Sequence, residues 1–338
     1  MPVSEDSPGN TKVRSEGPSA RLAVTISLKP RFGRDELKAK YGVGKYDLAT
    51  GYAMSESLRS LVPTKTPEYV DKGQNYVERL MRALYHFKQC ALIGPSGTGK
   101  THIVYLVAEL AGIPLWEINC GLQTSVYDMF GRFVGLGKEN WVDGQIVSWC
   151  RYGGILYLDE ANMMKQDVAT RLNPLLDTRG HMVLTEKDNE VIPRHTQGYI
   201  VISMNPYSAE FAGTKPLNAA FRRRMSVWID FDYLSVGGTV APDEVQMVSK
   251  RSHISMEVAE KIVRVGAEIR RRYKAGDLPY GPSVGDLVNW ATLVADGLDP
   301  ATAAEETIVS LTSDDPEVQT SVRRVVKMVL GDGKVSPG

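Results

Sequence analysis

The chain has 338 residues, with 40 acidic and 40 basic side chains, so its formal net charge at pH 7 is zero. Hydrophobic residues account for 43% and charged residues for 24%, which fits a soluble globular protein with room for one large domain and a smaller one. The balanced charge gives no reason to expect nucleic acid as the main partner.

No part of the sequence has the length and apolar character of a transmembrane helix, and the first residues lack the apolar segment of a secretory signal. The cysteines Cys90, Cys120 and Cys150 are scattered, and the first two lie in or at the end of predicted buried strands. We interpret these two as core thiols in a reducing compartment. We therefore expect a cytoplasmic protein without a membrane segment.

The N-terminal residues 1–65 contain no recognisable catalytic or binding motif. Residues 1–20 are rich in Ser, Pro, Gly and Glu, which predicts a disordered tail. Residues 21–65 form an appendage in which 22–28 alternate like a strand and 35–41 could be a short helix. This appendage is either a docking element or a packed arm, and we favour the packed arm.

Residues 94–101 read Gly-Pro-Ser-Gly-Thr-Gly-Lys-Thr, which is the G-x-x-x-x-G-K-T pattern of a phosphate-binding loop. The context fits, because helical spacing at 74–87 leads into an apolar strand at 90–93, and an amphipathic helix follows at 103–110. The glycines let successive N–H groups turn towards an anion, and the helix N-terminus adds its positive dipole end. The residues predicted to bind the nucleotide are Gly94, Pro95, Ser96, Gly97, Thr98, Gly99, Lys100, Thr101 and His102.

Lys100, predicted to be both a binding and a catalytic residue, would reach the β- and γ-phosphates, and the Thr101 hydroxyl would bind Mg²⁺. A second motif lies at 154–160, where an apolar run ends in Asp159-Glu160, the Walker B pattern. Asp159 would hold Mg²⁺ through water, since Mg²⁺ gives up its hydration shell reluctantly, and Glu160 would polarise the attacking water as general base. The alternative is a surface acidic pair after a core strand, but the upstream phosphate loop favours the catalytic interpretation.

Between these motifs, residues 131–144 form a polar, glycine-rich stretch that holds Phe133 and Trp141 and shows no core pattern. A mobile loop with a large aromatic side chain is a plausible gripping surface for a client, although Trp141 could instead fold back into the core. The elements predicted around this stretch are a strand at 113–120 and helices at 125–130 and 145–152.

After the Walker B motif, an apolar strand at 199–204 ends in Asn205-Pro206. Asn205 would sit beside the γ-phosphate and orient the water, unless it forms only an Asn-Pro turn. A helix at 217–221 runs into three adjacent arginines, which from charge alone would be a solvated helix cap. The other elements predicted here are a helix at 168–176, a β-hairpin at 182–193 and a strand at 227–231.

From residue 241 onwards, every segment has helical period. Strands that alternate with helices, followed by helices alone, predict an α/β domain with a parallel sheet and then a small α-helical lid. The predicted lid helices cover residues 245–250, 256–273, 284–294, 301–311 and 317–330.

A phosphate loop, a Walker B strand, a strand that ends in Asn-Pro and then an arginine cluster, in that order, resemble the AAA+ ATPases. The segment at 131–144 and the hairpin at 182–193 look like the two inserts of the MoxR branch. The order of motifs in the lid is similar to the C-terminal domain of the CbbQ/NirQ/NorQ proteins. The resemblance covers roughly residues 70–330, and it implies an AAA+ core at 66–232 and a lid at 233–338.

This resemblance implies a hexameric ring that binds ATP and Mg²⁺ between subunits. It also implies a partner with a von Willebrand factor A domain, and a Rubisco-type or metalloenzyme client that is remodelled or activated. Asn205 matches sensor 1, and Arg224 best matches the finger that acts on a neighbouring subunit, with Arg223 and Arg222 as weaker candidates. Asn119 matches the polar residue that holds the Walker B glutamate inactive, unless it only caps nearby backbone.

The lid departs from the family pattern at one position. Where these proteins carry the sensor 2 arginine, the sequence has Gly285, so we expect weak coupling between the lid and the γ-phosphate. The arginine run at 270–272 could reach in, but solvent exposure is its expected role. Alternative functions are a cobalt-chelatase subunit of the CobS type, a gas-vesicle-type ATPase and a nucleic-acid-directed NTPase.

Overall fold

The computed structural model describes residues 34–67, 69–70, 73–121, 124–135, 140–206 and 216–331. The expected tail at 1–20 and the expected strand at 22–28 lie outside the described residues.

The centre of the fold is a five-stranded, fully parallel sheet in the order β2-β5-β8-β1-β9. Two separate antiparallel hairpins, β3–β4 and β6–β7, complete the described strands. The strands are β1 (Gln89–Ile93), β2 (Leu115–Asn119), β3 (Gly131–Phe133), β4 (Trp141–Asp143), β5 (Gly154–Asp159), β6 (His181–Leu184), β7 (Glu190–Pro193), β8 (Gly198–Met204) and β9 (Trp228–Asp230).

The helices confirm the predicted order of an α/β unit followed by an all-helical unit. Those of the first unit are α1 (Arg34–Lys40), α2 (Tyr76–Phe87), α3 (Lys100–Ala111), α4 (Val126–Phe130), α5 (Gln145–Tyr152), α6 (Gln166–Leu176) and α7 (Ala219–Arg224), with 3-10 turns at Glu56–Leu61 and Ala161–Met163. Those of the second unit are α8 (Pro242–Ser252), α9 (Met256–Lys274), α10 (Val284–Ala295), α11 (Pro300–Ala304), α12 (Ser310–Thr312) and α13 (Pro316–Leu330). A π-helical turn, Glu305–Val309, joins α11 to α12 where a single helix was predicted, and the Ser310 hydroxyl donates to the Glu305 carbonyl there.

The sheet is buried on both faces, which is why its strands read as near-continuous apolar runs. Successive residues of a strand point to opposite faces, so Tyr157 packs with α2 and α3 while Leu156 and Leu158 pack with α5 and α6. Cys90 and Cys120 are buried as expected, and burial raises the pKa of both thiols to about 12. These thiols are therefore inert core residues.

The described part of the N-terminal appendage is a packed arm. Val43, Tyr46 and Leu48 are buried in the core that α2 and α3 share with the sheet. The two carboxylate oxygens of Glu109 on α3 accept the backbone N–H groups of Lys65 and Thr66. The arm therefore runs along the sheet towards the phosphate loop.

The glycine-rich stretch at 131–144 contains a short hairpin, in which Phe133 pairs with Trp141. The Trp141 side chain is half-buried against the core, and its ring lies edge-on to Phe133 at 5.1 Å. Its indole N–H donates to Asp143 at 2.7 Å. Trp141 thus supports the hairpin, whereas Phe133 and Val142 are exposed.

The lid has its own hydrophobic core, built around Trp290 and the inner face of α9. The prediction of solvent exposure is wrong for Arg270, which is fully buried. The physical reason is helical period, because position 270 lies on the same face of α9 as the buried Val263 and Gly266. Arg271 and Arg272 both pair with Glu268.

Candidate nucleotide-binding site

The phosphate loop connects β1 to the N-terminus of α3, as the motif requires. Gly97 and Gly99 both have positive φ angles, 73° and 90°, which favour glycine. A Cβ at Gly97 would lie 2.2 Å from Ser283 Cβ, and one at Gly99 would lie 2.8 Å from the Tyr69 ring. These glycines are therefore fixed both by backbone conformation and by the close approach of two distant segments.

Lys100 is the first residue of α3, and its side chain is buried. Its Nζ donates to the carbonyl oxygens of Gly94 and Pro95, each at 2.7 Å, and to Oδ1 of Asn205 at 3.2 Å. Burial lowers the pKa of this ammonium to about 8, an effect that the Walker B carboxylates partly oppose. The structure thus joins the phosphate-loop lysine directly to the residue at the end of β8 that was predicted to be sensor 1.

The proposed Mg²⁺ ligands Thr101 and Asp159 lie side by side, with 3.4 Å between Thr101 Oγ1 and Asp159 Oδ2. The other carboxylate oxygen, Oδ1, accepts from Tyr157 Oη at 2.9 Å, from Ser203 Oγ and from the Glu160 backbone N–H at 3.1 Å. These donors fix the carboxylate, so that Oδ2 faces the phosphate loop.

The sequence analysis did not predict that Tyr157 and Ser203 belong to the site. Tyr157 also hydrogen-bonds to Thr101 Oγ1 at 3.0 Å, and Ser203 also accepts the Glu160 backbone N–H at 3.3 Å. Ser203 is a buried polar residue in an otherwise apolar strand, and that contrast is the signal that could have revealed it.

Glu160 directly follows β5 in the left-handed conformation, with φ 52° and ψ 43°, and its side chain is exposed. A non-glycine residue in this region is held there by its surroundings. On the neighbouring strand, Asn119 is in register with Asp159, and its side chain is also exposed. Asn119 therefore lies at the same edge of the sheet as Glu160.

Next to the phosphate-binding cavity lies a second, apolar cavity, and the two together form one cleft. The sequence analysis did not predict this apolar cavity. It is a cavity of about 190 Å³ that shares Gly97, Gly99, His102 and Gly285 with the phosphate-binding cavity. Its remaining lining consists mainly of apolar and aromatic side chains, among them Tyr69 and Val70 just after the arm, Tyr76 of α2, Tyr233 and Leu234 after β9, and Met247 of α8. Such a surface suits a planar heterocyclic base.

Tyr69 and Val70, just after the arm, supply part of the wall of this apolar cavity. Tyr69 Oη donates to the Thr98 carbonyl at 3.2 Å, and the His102 ring is bonded to the Pro67 carbonyl at 2.7 Å. His102 also lies edge-on to the Tyr69 ring at 5.8 Å. Because Pro67 and Tyr69 are distant in sequence from the phosphate loop, only the fold places them against it.

The lid closes the cleft through the start of α10. Ser283, the N-cap of this helix, packs on Gly97, and Gly285 lines both the phosphate and the base cavity. A Cβ at Gly285 would meet only Ser283 Oγ, at 3.4 Å. The glycine thus occupies the position that the resemblance gives to sensor 2, with open space in front of it.

The three arginines of α7 have different environments. The Arg224 Nε lies 3.3 Å from Asp177 Oδ2, and the Arg222 guanidinium lies 4.3 Å from the centre of the Trp228 ring. Arg223 is exposed and has no partner in the part of the chain that the structure describes. Arg222 and Arg224 thus contact side chains of their own subunit, whereas the Arg223 guanidinium is exposed to solvent and could contact another molecule.

The residues present fit a nucleoside triphosphate with Mg²⁺. The buried lysine, the glycine-lined helix N-terminus and the adjacent hydroxyl and carboxylate oxygens are the donor set that phosphate and Mg²⁺ require. Mg²⁺, when bound, would neutralise the charge on the phosphates.

Comparison with known proteins agrees with this geometry. Residues 89–225 match the sequence model of the AAA domain (dynein-related subfamily), and residues 244–329 match that of the CbbQ/NirQ/NorQ C-terminal domain. The chain is 32% identical to Protein CbbQ of Hydrogenophilus thermoluteolus over 81% of its own length and 99% of that protein. The chain belongs to the CbbQ/NirQ/NorQ family.

Two further relatives support this family assignment. The Denitrification regulatory protein NirQ of Pseudomonas aeruginosa is 31% identical over 78% of this chain and 97% of that protein. Protein NorQ of Paracoccus denitrificans is 31% identical over 71% of this chain and 86% of that protein. The predicted family, the AAA+ fold with its helical lid and the ATPase class are therefore confirmed. In this CbbQ/NirQ/NorQ protein, no described helix is long and apolar enough to cross a membrane.

Proposed function

We propose that this CbbQ/NirQ/NorQ protein is an ATP-driven ring motor that remodels or activates a client enzyme. The observation that carries the proposal is the convergence of Lys100, Asn205 and Asp159 at one edge of the sheet, beneath Ser283 of the lid. In this arrangement, Lys100 binds the phosphates, Asp159 and Thr101 hold Mg²⁺, and Asn205 orients the attacking water. Glu160 removes a proton from that water as general base.

The experiment that tests the chemistry compares the wild-type protein with Glu160→Gln and Lys100→Ala. Glu160→Gln should keep nucleotide and Mg²⁺ binding but lose turnover by at least about a hundredfold, because a positioned general base is removed. Lys100→Ala should fail at nucleotide binding. Wild-type turnover in Glu160→Gln would remove Glu160 from the mechanism.

We further propose that Arg223, rather than Arg224, is the finger that completes a neighbour's site. Arg223 is the exposed arginine of α7 without a partner in the described residues, whereas Arg224 pairs with Asp177. Arg223→Ala should lower turnover by about a thousandfold or more with nucleotide binding retained. Arg224→Ala is the matched control, expected to loosen α7 without this loss of rate.

Mixing subunits tests assembly directly. Arg223→Ala subunits retain their own general base, and Glu160→Gln subunits retain the finger, so mixed rings should regain some turnover. Such a gain would support a shared site, as expected for the hexamer that we propose. Full turnover by a strictly monomeric form would refute the shared site.

The client-facing surface that we propose is formed by the two hairpins. Arg151 at the end of α5 joins them, because its guanidinium lies 2.8 Å from Asp143 and 2.7 Å from Glu190. Val142 on the first hairpin and Val191 on the second are both exposed. Two hairpins that share one ion-pair network can respond together when a client binds.

The partner is proposed to carry a von Willebrand factor A domain, and the client to be a metalloenzyme or Rubisco-type enzyme. The name of one relative, a denitrification regulatory protein, supports a role in regulating another enzyme. Co-expression with a protein that carries a von Willebrand factor A domain, chosen from the same genome, should give a stable complex. The absence of a complex with every such protein would contradict this partner and would leave the proposed ATPase activity untouched.

A further inference from the structure

Arg270 is a buried cation in the lid that the proposed ATPase mechanism does not use. Its side chain and that of Glu244 on α8 are both fully buried. Taking a guanidinium and a carboxylate out of water is unfavourable unless their contacts compensate. The contacts of Arg270 therefore indicate why the charge is there.

The contacts of the guanidinium reach three different segments of the lid. Nε donates to the Pro282 carbonyl at 2.7 Å, and Nη1 donates to the Ser235 carbonyl at 3.1 Å. Nη2 lies 2.8 Å from Glu244 Oε1, and the guanidinium lies over the Tyr233 ring at 4.6 Å. Arg270 thus ties together the linker after β9, the first lid helix and the loop before α10.

These segments form the lid side of the nucleotide cleft. Tyr233 lines the base cavity, and its hydroxyl donates to the Gly281 carbonyl at 3.0 Å. Pro282, which Arg270 holds, is followed by Ser283, and Ser283 packs on Gly97 of the phosphate loop. A displacement of this loop would therefore move the wall of both cavities.

We propose that Arg270 is a positioning residue for ATP binding, which sets the lid loop against the phosphate loop through the Pro282 and Ser235 carbonyls. The inference rests on the proposed ATPase function and deepens it. Gly285 has no side chain that could bind the phosphates. The position of the lid relative to the phosphate loop therefore depends on backbone groups of the lid, such as the Pro282 and Ser235 carbonyls. Arg270 holds these carbonyls from behind the loop, without touching the nucleotide.

Stabilisation of the fold is a weaker explanation for the pair. The Nη2–Oε1 contact is at ion-pair distance but lacks the alignment of a hydrogen bond, and Glu244 Oε2 has no partner among the described residues. Buried ion pairs of this kind can often be replaced by apolar residues of similar volume without loss of stability. Replacing both charges therefore separates positioning from stability.

The experiment compares the wild-type protein with the double variant Arg270→Met/Glu244→Leu. The thermal unfolding midpoint and the steady-state ATPase kinetics are measured for both proteins. The double variant should stay folded, because no buried charge is left unpaired. Its unfolding midpoint should fall moderately, because the Pro282 and Ser235 carbonyls lose their donor. Its KM for ATP should rise by about tenfold, with kcat changed less, because small misplacements of binding groups have effects of this size or larger.

Two more variants complete the test. Arg270→Lys keeps a positive charge against Glu244 but cannot hold both carbonyls, so its KM should also rise. Arg271→Met, which alters the exposed neighbour that pairs with Glu268, is the matched control and should behave as wild type.

The outcomes separate this inference from the proposed function. A wild-type protein without ATPase activity would contradict the proposed function itself. An active wild type, together with a stable double variant of unchanged KM, would overturn the role of Arg270 alone. If the double variant does not fold, Arg270→Lys decides, and a wild-type KM in that variant would overturn the inference.

Discussion

The most specific prediction concerns the ammonium of Lys100 and its response to pH. Burial lowers the pKa of Lys100 to about 8, whereas an exposed lysine titrates at about 10.4. Phosphate binds the charged ammonium, so nucleotide affinity should be highest below pH 8 and should fall as the pH rises through 8. The perturbation is therefore a change of pH from 7 to 9.

The size of the effect follows from the fraction of charged lysine. With a pKa of about 8, that fraction is about 90% at pH 7 and about 10% at pH 9. Bound phosphates would restore the charge, so the apparent dissociation constant should rise by about tenfold between the two pH values.

The assay is equilibrium binding of a non-hydrolysable ATP analogue with Mg²⁺ at several pH values. Lys100→Arg is the control, because a guanidinium stays charged over the whole range and should give a nearly constant affinity. The control also reports any titration of the nucleotide itself. The same pH dependence in both proteins, or none in the wild type, would refute the reasoning.

Three further predictions concern the lid, the wall of the base cavity and the first hairpin. Gly285→Arg should tighten ATP binding by about tenfold or more, since charge-assisted hydrogen bonds are worth about 1.5–3 kcal/mol, and unchanged affinity in a folded variant would show that α10 does not face the nucleotide. Tyr69→Ala should weaken binding of ADP and ATP equally, because the ring lines the base cavity, and a loss confined to ATP would contradict that placement. Trp141→Ala should increase amide exchange in the hairpin 131–143 and leave basal ATPase within about twofold, because the ring packs on Phe133 far along the chain from the phosphate loop. Unchanged exchange would mean that Trp141 does not support the hairpin.

Features that depend on neighbouring residues could be predicted from the sequence. The phosphate loop, the Walker B strand, the hairpin at 182–193 and the lid helices are local patterns of period, glycine and charge. Their order was enough to predict the fold and the family, both of which are confirmed. The nucleotide residues of the phosphate loop were also predicted from this local pattern.

The distant residues that contact these motifs became visible only in the folded protein. Ser203 reaches Asp159 because their strands are neighbours in the sheet. Tyr69 reaches Thr98 because the segment that precedes it, Lys65 to Pro67, lies against α3. The three arginines of α7 have the same charge in sequence, and only their environments, such as Asp177 beside Arg224, tell them apart. A burial pattern or an ion pair depends on residues far apart in the chain, and short-range propensity contains no information about them.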